Sequence, residues 1–300
     1  MTSRATSPST IVPSQADIER ITLRALADEG AANQLATILE NLPKIACLAI
    51  CARAMERTLP VIFAPSGICH HDGVLELNRA AHTGLETIGE VLRRCDGREG
   101  KTDLPEAIPQ WSLPGLTHQF NHALGTLLMI ERWDYRPMSA TALWSSILAI
   151  GWTGLDVGLH QAVAAIQDET QLDDDSTLQI RNTVRALKQS SSMVAGDIVR
   201  AAAIGSTWSE LSPGERLSHL GPLWDAEIEL DWLRTFFEVQ GSRPLGLGFT
   251  DVVEPKTALE RLDQGLTAGP FDSRTAALCR EALTPDLNKR HRSWLRRLLG

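Results

Sequence analysis

Three hundred residues, 43% hydrophobic and 22% charged, make a chain long enough to bury a sizeable core without disulfide or metal staples. The net charge of −8 is uneven: from Arg280 onward six basic residues face only Glu281 and Asp286, so this tail carries +4 and the rest of the chain −12. So acidic a body repels nucleic acid and phosphate-rich surfaces, which excludes a nucleic-acid-binding role, while it favours solubility and suits a basic partner.

Residues 1–14, "MTSRATSPSTIVPS", hold no apolar run of the length a secretory signal needs and predict a disordered tail. Helices are expected near 16–29 and 32–41. "LPKIACLAICARAMERTLPV" follows, bracketed by Pro43 and Pro60, with charge confined to Lys44, Arg53, Glu56 and Arg57, and predicts a mostly buried helix. In "VLELNRAAHTGLETIGEVLRRC" the residues Val74, Leu77, Ala81, Leu85, Ile88, Leu92 and Cys95 step by three or four, the pattern of an outer helix packed by one face. Residues 96–115 carry the Gly and Pro of a long connection. Helices are predicted next at 115–132 and 139–167.

Residues 137–155 carry no charge over nineteen positions, yet Ser139, Thr141, Ser145, Ser146 and Thr153 lower their apolarity and Asp156 and His160 follow at once. A central buried helix accounts for them better than a membrane span. Asp173, Asp174 and Asp175 precede "STLQIRNTVRALKQ" and read as capping carboxylates of a helix over 174–204. Further helices are expected at 213–219, 223–239, 256–267, 272–282 and 285–299. The reading is an all-α multi-helix bundle with a long buried central helix: main bundle 15–239, linker 240–255, and a small C-terminal helical appendage at 256–300. The last helix, "PDLNKRHRSWLRRLLG", is basic and amphipathic and is expected to dock on the acidic body rather than on lipid.

The five cysteines, Cys47, Cys51, Cys69, Cys95 and Cys279, contain no CxxC pair and form no secreted framework. They read as reduced thiols, with Cys47 and Cys51 as core packing, and point to a cytoplasmic location.

His118 and His122 in "LTHQFNHALGTLL" lie four apart, the spacing at which two imidazoles on one helical face share a metal ion. Asp156 and His160 repeat the spacing, so two antiparallel helices could bring four ligand-type groups to a divalent transition metal. Neither Glu-x-x-His nor His-Glu-x-x-His occurs, and partly buried polar groups bonded to neighbours explain these residues as well. "GICHHDG" (67–73) reads as a solvated loop. "LDDDS" lacks the aromatic surroundings of a terpene-synthase-like magnesium site, since only 5% of residues are aromatic and Tyr135 is the single tyrosine. No phosphate loop, dinucleotide turn or nucleophile elbow is found, so no catalytic or cofactor-binding residue is assigned. In "PLWDAEIELDWLRTFFEV" aromatic and acidic groups alternate. Trp224, Asp225, Glu229 and Trp232 are the candidate partner-binding residues there, against the plainer reading of aromatics in the core and acids in water.

"CARAMERTLPVIF", Cys51 to Phe63, resembles a helix end of all-helical immunity-like proteins of bacterial polymorphic-toxin systems, where a helix of Ala, Cys and Glu-Arg runs into Leu-Pro and an apolar pair. The likeness covers about twenty residues. It implies a cytoplasmic binding protein that neutralises or regulates a partner, with no catalytic residues to carry over. The expectation is therefore an intracellular protein-binding protein of immunity or regulatory type; the alternative is a metal-dependent helical-bundle enzyme using His118 and His122.

Overall fold

The computed structural model describes residues 13–58, 83–84, 86–101, 103–106, 108, 116–151, 156–167, 178–221 and 223. Among them are eight α-helices and no strand, the all-α class that the periodicity predicts. They are α1 (Gln15–Arg24), α2 (Glu29–Glu40), α3 (Lys44–Glu56), α4 (86–95), α5 (Leu116–Trp133), α6 (Met138–Gly151), α7 (Asp156–Gln167) and α8 (Leu178–Ile204). Two 3₁₀ segments follow, Gly205–Glu210 and Leu217–Leu220. Residues 1–12 of the predicted tail, and the linker and appendage beyond residue 239, lie outside the described residues.

Each start has a local cause. Ser14 caps α1: its Oγ accepts from the Asp17 amide at 3.2 Å and donates to the Asp17 carboxylate at 2.7 Å. Asp28 caps α2 by accepting from the Gly30 amide at 2.9 Å, which ends the predicted 16–29 helix early, at Arg24. α3 begins after Pro43, whose carbonyl accepts from the Ala46 and Cys47 amides.

α3 is buried from Ala46 through Glu56 and packs against α5, α6 and α8. Its small residues let those neighbours approach closely. Three thiols mark the seams: Cys47 donates to the Leu39 carbonyl (3.2 Å), Cys51 to Ser139 (3.7 Å) and Cys95 to Ile45 (3.6 Å). Burial pushes the Cys47 thiol up to about 11 and the Cys95 thiol up to about 12, so these two and the equally buried Cys51 are unreactive packing groups. Cys69 and Cys279 lie outside the described residues.

The most extensive helix pair is α5 with α6, an αα-hairpin closed by residues 134–137. Phe120, Leu124, Leu127, Leu143 and Ile147 of this pair are buried in the core. α1 lies on α8 and α2, and α7 on α8. Of the helix predicted over 139–167, the structure describes two helical stretches, α6 and α7, and residues 152–155 between them lie outside the described residues. Among the described residues no helix is long and apolar enough to cross a membrane.

α4 ends in a Schellman motif. Gly97 takes φ +74°, its amide donates to the Arg94 carbonyl, and the Arg98 amide donates to Arg93. The segment after α8 folds back onto this end: the Gly214 amide donates to the Asp96 carbonyl, the Leu217 amide to its side chain at 3.1 Å, and buried Trp208 to the Cys95 carbonyl at 3.5 Å. The helix predicted at 213–219 is thus a turn followed by a 3₁₀ segment. Its free amides are taken by Asp96 instead of by a helical ladder, and Pro213 donates none.

Candidate functional site

Of the four metal-ligand candidates, the structure describes the side chain of His122. Its Nδ1 pairs with Ser145 Oγ on α6 at 2.8 Å, so one imidazole nitrogen is engaged with a hydroxyl across the α5–α6 seam. The side chains of His118, Asp156 and His160 lie outside those described. Among the described residues no group of three His, Cys, Asp or Glu side chains could hold a metal ion. Ser145 is buried in mid-helix, where its own helix leaves no free amide to form an oxyanion hole, so the pair reads as an interhelical hydrogen bond. Trp224, Asp225, Glu229 and Trp232 also lie outside the described residues.

Two other arrangements stand out. The first is a buried ion cluster joining α3 to α8. Asp197, fully buried on α8, receives a forked pair from Arg53 (Nε 3.3 Å, Nη2 3.2 Å), one contact from Arg57 Nη2 at 2.8 Å and one from Arg200 Nη2 at 3.2 Å. Arg53 and Arg57 lie four apart at the end of α3, one helical turn, which stacks both guanidiniums toward the same neighbour. They also tie down the following chain, Arg53 donating to the Gly221 carbonyl at 3.3 Å and Arg57 Nε to Leu223 at 2.7 Å. Burial raises the Asp197 carboxyl, but Arg57 and Arg53 more than offset it and hold the group below the usual carboxylate range. Desolvation lowers Arg57 despite its contact with Asp197.

The second is the corner between α5 and α6, "RWDYRP". Trp133 and Tyr135 are the large hydrophobics exposed among the described residues, at 66% and 53%. Asp134 between them adopts φ 52°, an uncommon conformation for a residue other than glycine. The flanking arginines hold the corner in place: Arg132 donates to the Glu106 and Pro105 carbonyls, and Arg136 to Glu40 and Leu42 at 2.9 and 3.1 Å. Asp134 also pairs with Arg136 at 3.6 Å and Glu131 with Arg94 at 3.1 Å, so the charges at the corner are balanced.

Sequence reasoning missed both features. The i,i+4 spacing of Arg53 and Arg57 on an otherwise apolar helix was a usable signal, since two buried cations require an anion. The corner had a weaker signal, two aromatics within a charged "RWDYR" just outside predicted helices. Comparison with family models, with curated proteins and with solved structures finds no match for this chain, so the functional reading rests on its own geometry.

Proposed function

We propose that this chain is an intracellular, all-helical protein-binding protein of immunity or regulatory type, which neutralises or scaffolds a basic partner and engages it through the α5–α6 corner. The observation that carries the reading is the pair Trp133 and Tyr135, held outward at a corner that two arginines pin to neighbouring backbone. Trp and Tyr are the residue types that dominate binding energy, and an anchor already fixed in place loses little freedom on association. The chain, −12 before its basic tail, supplies the charge a basic partner needs.

The experiment compares affinity purification from the native host using wild-type chain and a Trp133→Ala/Tyr135→Ala double variant. A partner retained by the first and lost by the second supports the reading. The exposed positions make the variant's thermal stability equal to wild type within about 0.5 kcal/mol, so the loss cannot come from unfolding. Identical captured sets overturn it, as does near-stoichiometric transition metal on protein purified without a histidine tag.

A further inference from the structure

The segment that follows α8 is fixed at both ends. Gly205, at φ 54°, breaks it from the helix, with open space where a side chain would stand. Gly221, at φ 77°, closes it; its carbonyl accepts from Arg53 at 3.3 Å, and just beyond, the Leu223 carbonyl accepts from Arg57 at 2.7 Å. Glycine adopts these backbone angles without strain, and element-terminal residues of this kind can absorb a hinge rotation.

Between the two glycines little is buried. Trp208 and Leu220 are the buried side chains there, and the regular structure is two short 3₁₀ stretches, whose hydrogen-bond geometry is poorer than that of an α-helix. Arg216 ties the segment into one body, donating from Nε to the Leu211 carbonyl at 3.1 Å and from Nη2 to Ser209 at 3.3 Å. Its hold on the bundle centres on two adjacent residues at the end of α4. The Gly214 amide donates to the Asp96 carbonyl at 2.9 Å, the Leu217 amide to Asp96 Oδ1 at 3.1 Å, and the Trp208 indole to the Cys95 carbonyl at 3.5 Å. Asp96 Oδ2 pairs in turn with Arg98 at 3.1 Å. Arg98 lies over Gly214 as Arg216 lies over Gly97, so closely that a Cβ would stand 3.3 and 2.8 Å from the guanidinium.

We propose that residues 205–221 form a flap that lifts from the end of α4 as one unit while the helices stay folded. A segment with few buried apolar groups opens at a lower free energy than the core it lies on. Because its hydrogen bonds to α4 share one attachment point, they are lost together, and the Asp197 cluster still joins α3 to α8. Lifting takes Trp208 off Cys95. The chain thereby has a second, less populated state that presents an aromatic anchor the closed state hides.

Hydrogen exchange followed by NMR tests this. In the wild type, the Gly214 and Leu217 amides and the Trp208 indole should share one protection factor, at least about tenfold below that of the Ile50 and Val194 amides in α3 and α8. Asp96→Ala should lower the protection of Gly214 and of the indole by about a further tenfold, the worth of one hydrogen bond to a charged group, and leave Ile50 and Val194 unchanged. Neither reporter touches the Asp96 side chain, so a merely local loss would accelerate Leu217 alone. That result overturns the proposal. So do flap protons as protected as Ile50 and Val194, or flap protection factors that differ among themselves by more than about tenfold. Should Asp96→Ala fail to fold, the wild-type comparison decides by itself.

Discussion

Glu90 and Asp197 are both carboxylates shut away from water and both paired with arginine, yet they are held in opposite ways. Glu90, on α4, takes its partners from its own helix and just beyond: Arg93 at i+3, Arg94 at i+4 (3.0 Å), and the Lys101 amide at 3.2 Å. Arg93 and Arg94 are 25% and 37% exposed, so the charges opposite Glu90 keep contact with solvent. Asp197 is met by Arg53 and Arg57, which are 7% and 1% exposed and 144 and 140 positions away in sequence. The contacts of Glu90 with Arg93 and Arg94 form wherever α4 forms. The Asp197 cluster exists only when α3 and α8 have docked, so it reports tertiary assembly and penalises any state that brings those helices together wrongly.

The largest effect should follow from Asp197→Asn. It leaves Arg53 and Arg57 buried against a neutral amide, and breaking a buried pair from one side costs about 3–5 kcal/mol. A denaturant midpoint should record that loss, with the slope unchanged if unfolding stays two-state. A variant as stable as wild type would show that the arginines reach water by another route.

Acid should act on both clusters with the same sign. Each carboxyl is held below its ordinary value: for Glu90, burial raises it and the Arg94 hydrogen bond, the Lys101 amide and Arg93 outweigh that. For Asp197 the opposing groups are Arg57 and Arg53. A depressed carboxyl contributes stability that is present above its unfolded-state value and lost as pH falls through its folded-state value. Stability should therefore be flat around neutrality and fall below the ordinary carboxylate range. Asp197→Asn should flatten that acid limb more than Glu90→Gln does, as chemical unfolding over a pH series would record.

Glu90→Gln is expected to be the milder substitution, at about 1–2 kcal/mol, the worth of hydrogen bonds to a charged group whose partners stay half in water. Equal losses for Glu90→Gln and Asp197→Asn would erase the distinction between a local and a tertiary ion cluster.

The same distinction sets what the sequence could reveal. Apolar steps of three and four identified α1 to α3, α5 and α8, and the thiols at Cys47 and Cys51 read correctly as packing, because each depends on neighbours within one helix. The pairing of Arg53 and Arg57 with Asp197 depends on which helices meet, and no local spacing encodes that. The predicted helix at 213–219 failed for a related reason. Its amides are claimed by Asp96, more than a hundred positions earlier, and a long-range acceptor is invisible to a window of a dozen residues. His122 was singled out by its spacing from His118, but the group it meets in the described structure is Ser145, supplied by the next helix.

The smallest effect should come from Arg200→Gln, the substitution that divides the Asp197 cluster into core and rim. Arg200 sits one turn beyond Asp197 on the same helix, 37% exposed, and so resembles the partners of Glu90 more than it resembles Arg57. With Arg53 and Arg57 still in place, Asp197 keeps its forked pair and its closest contact, and no buried charge is stranded. An i,i+3 pair with one solvent-reachable member contributes about 0–1 kcal/mol, and that is the loss expected in the denaturant midpoint. A loss near that of Asp197→Asn would mean instead that Arg200 shields Asp197 from solvent as well as pairing with it, and the rim would then belong to the tertiary cluster.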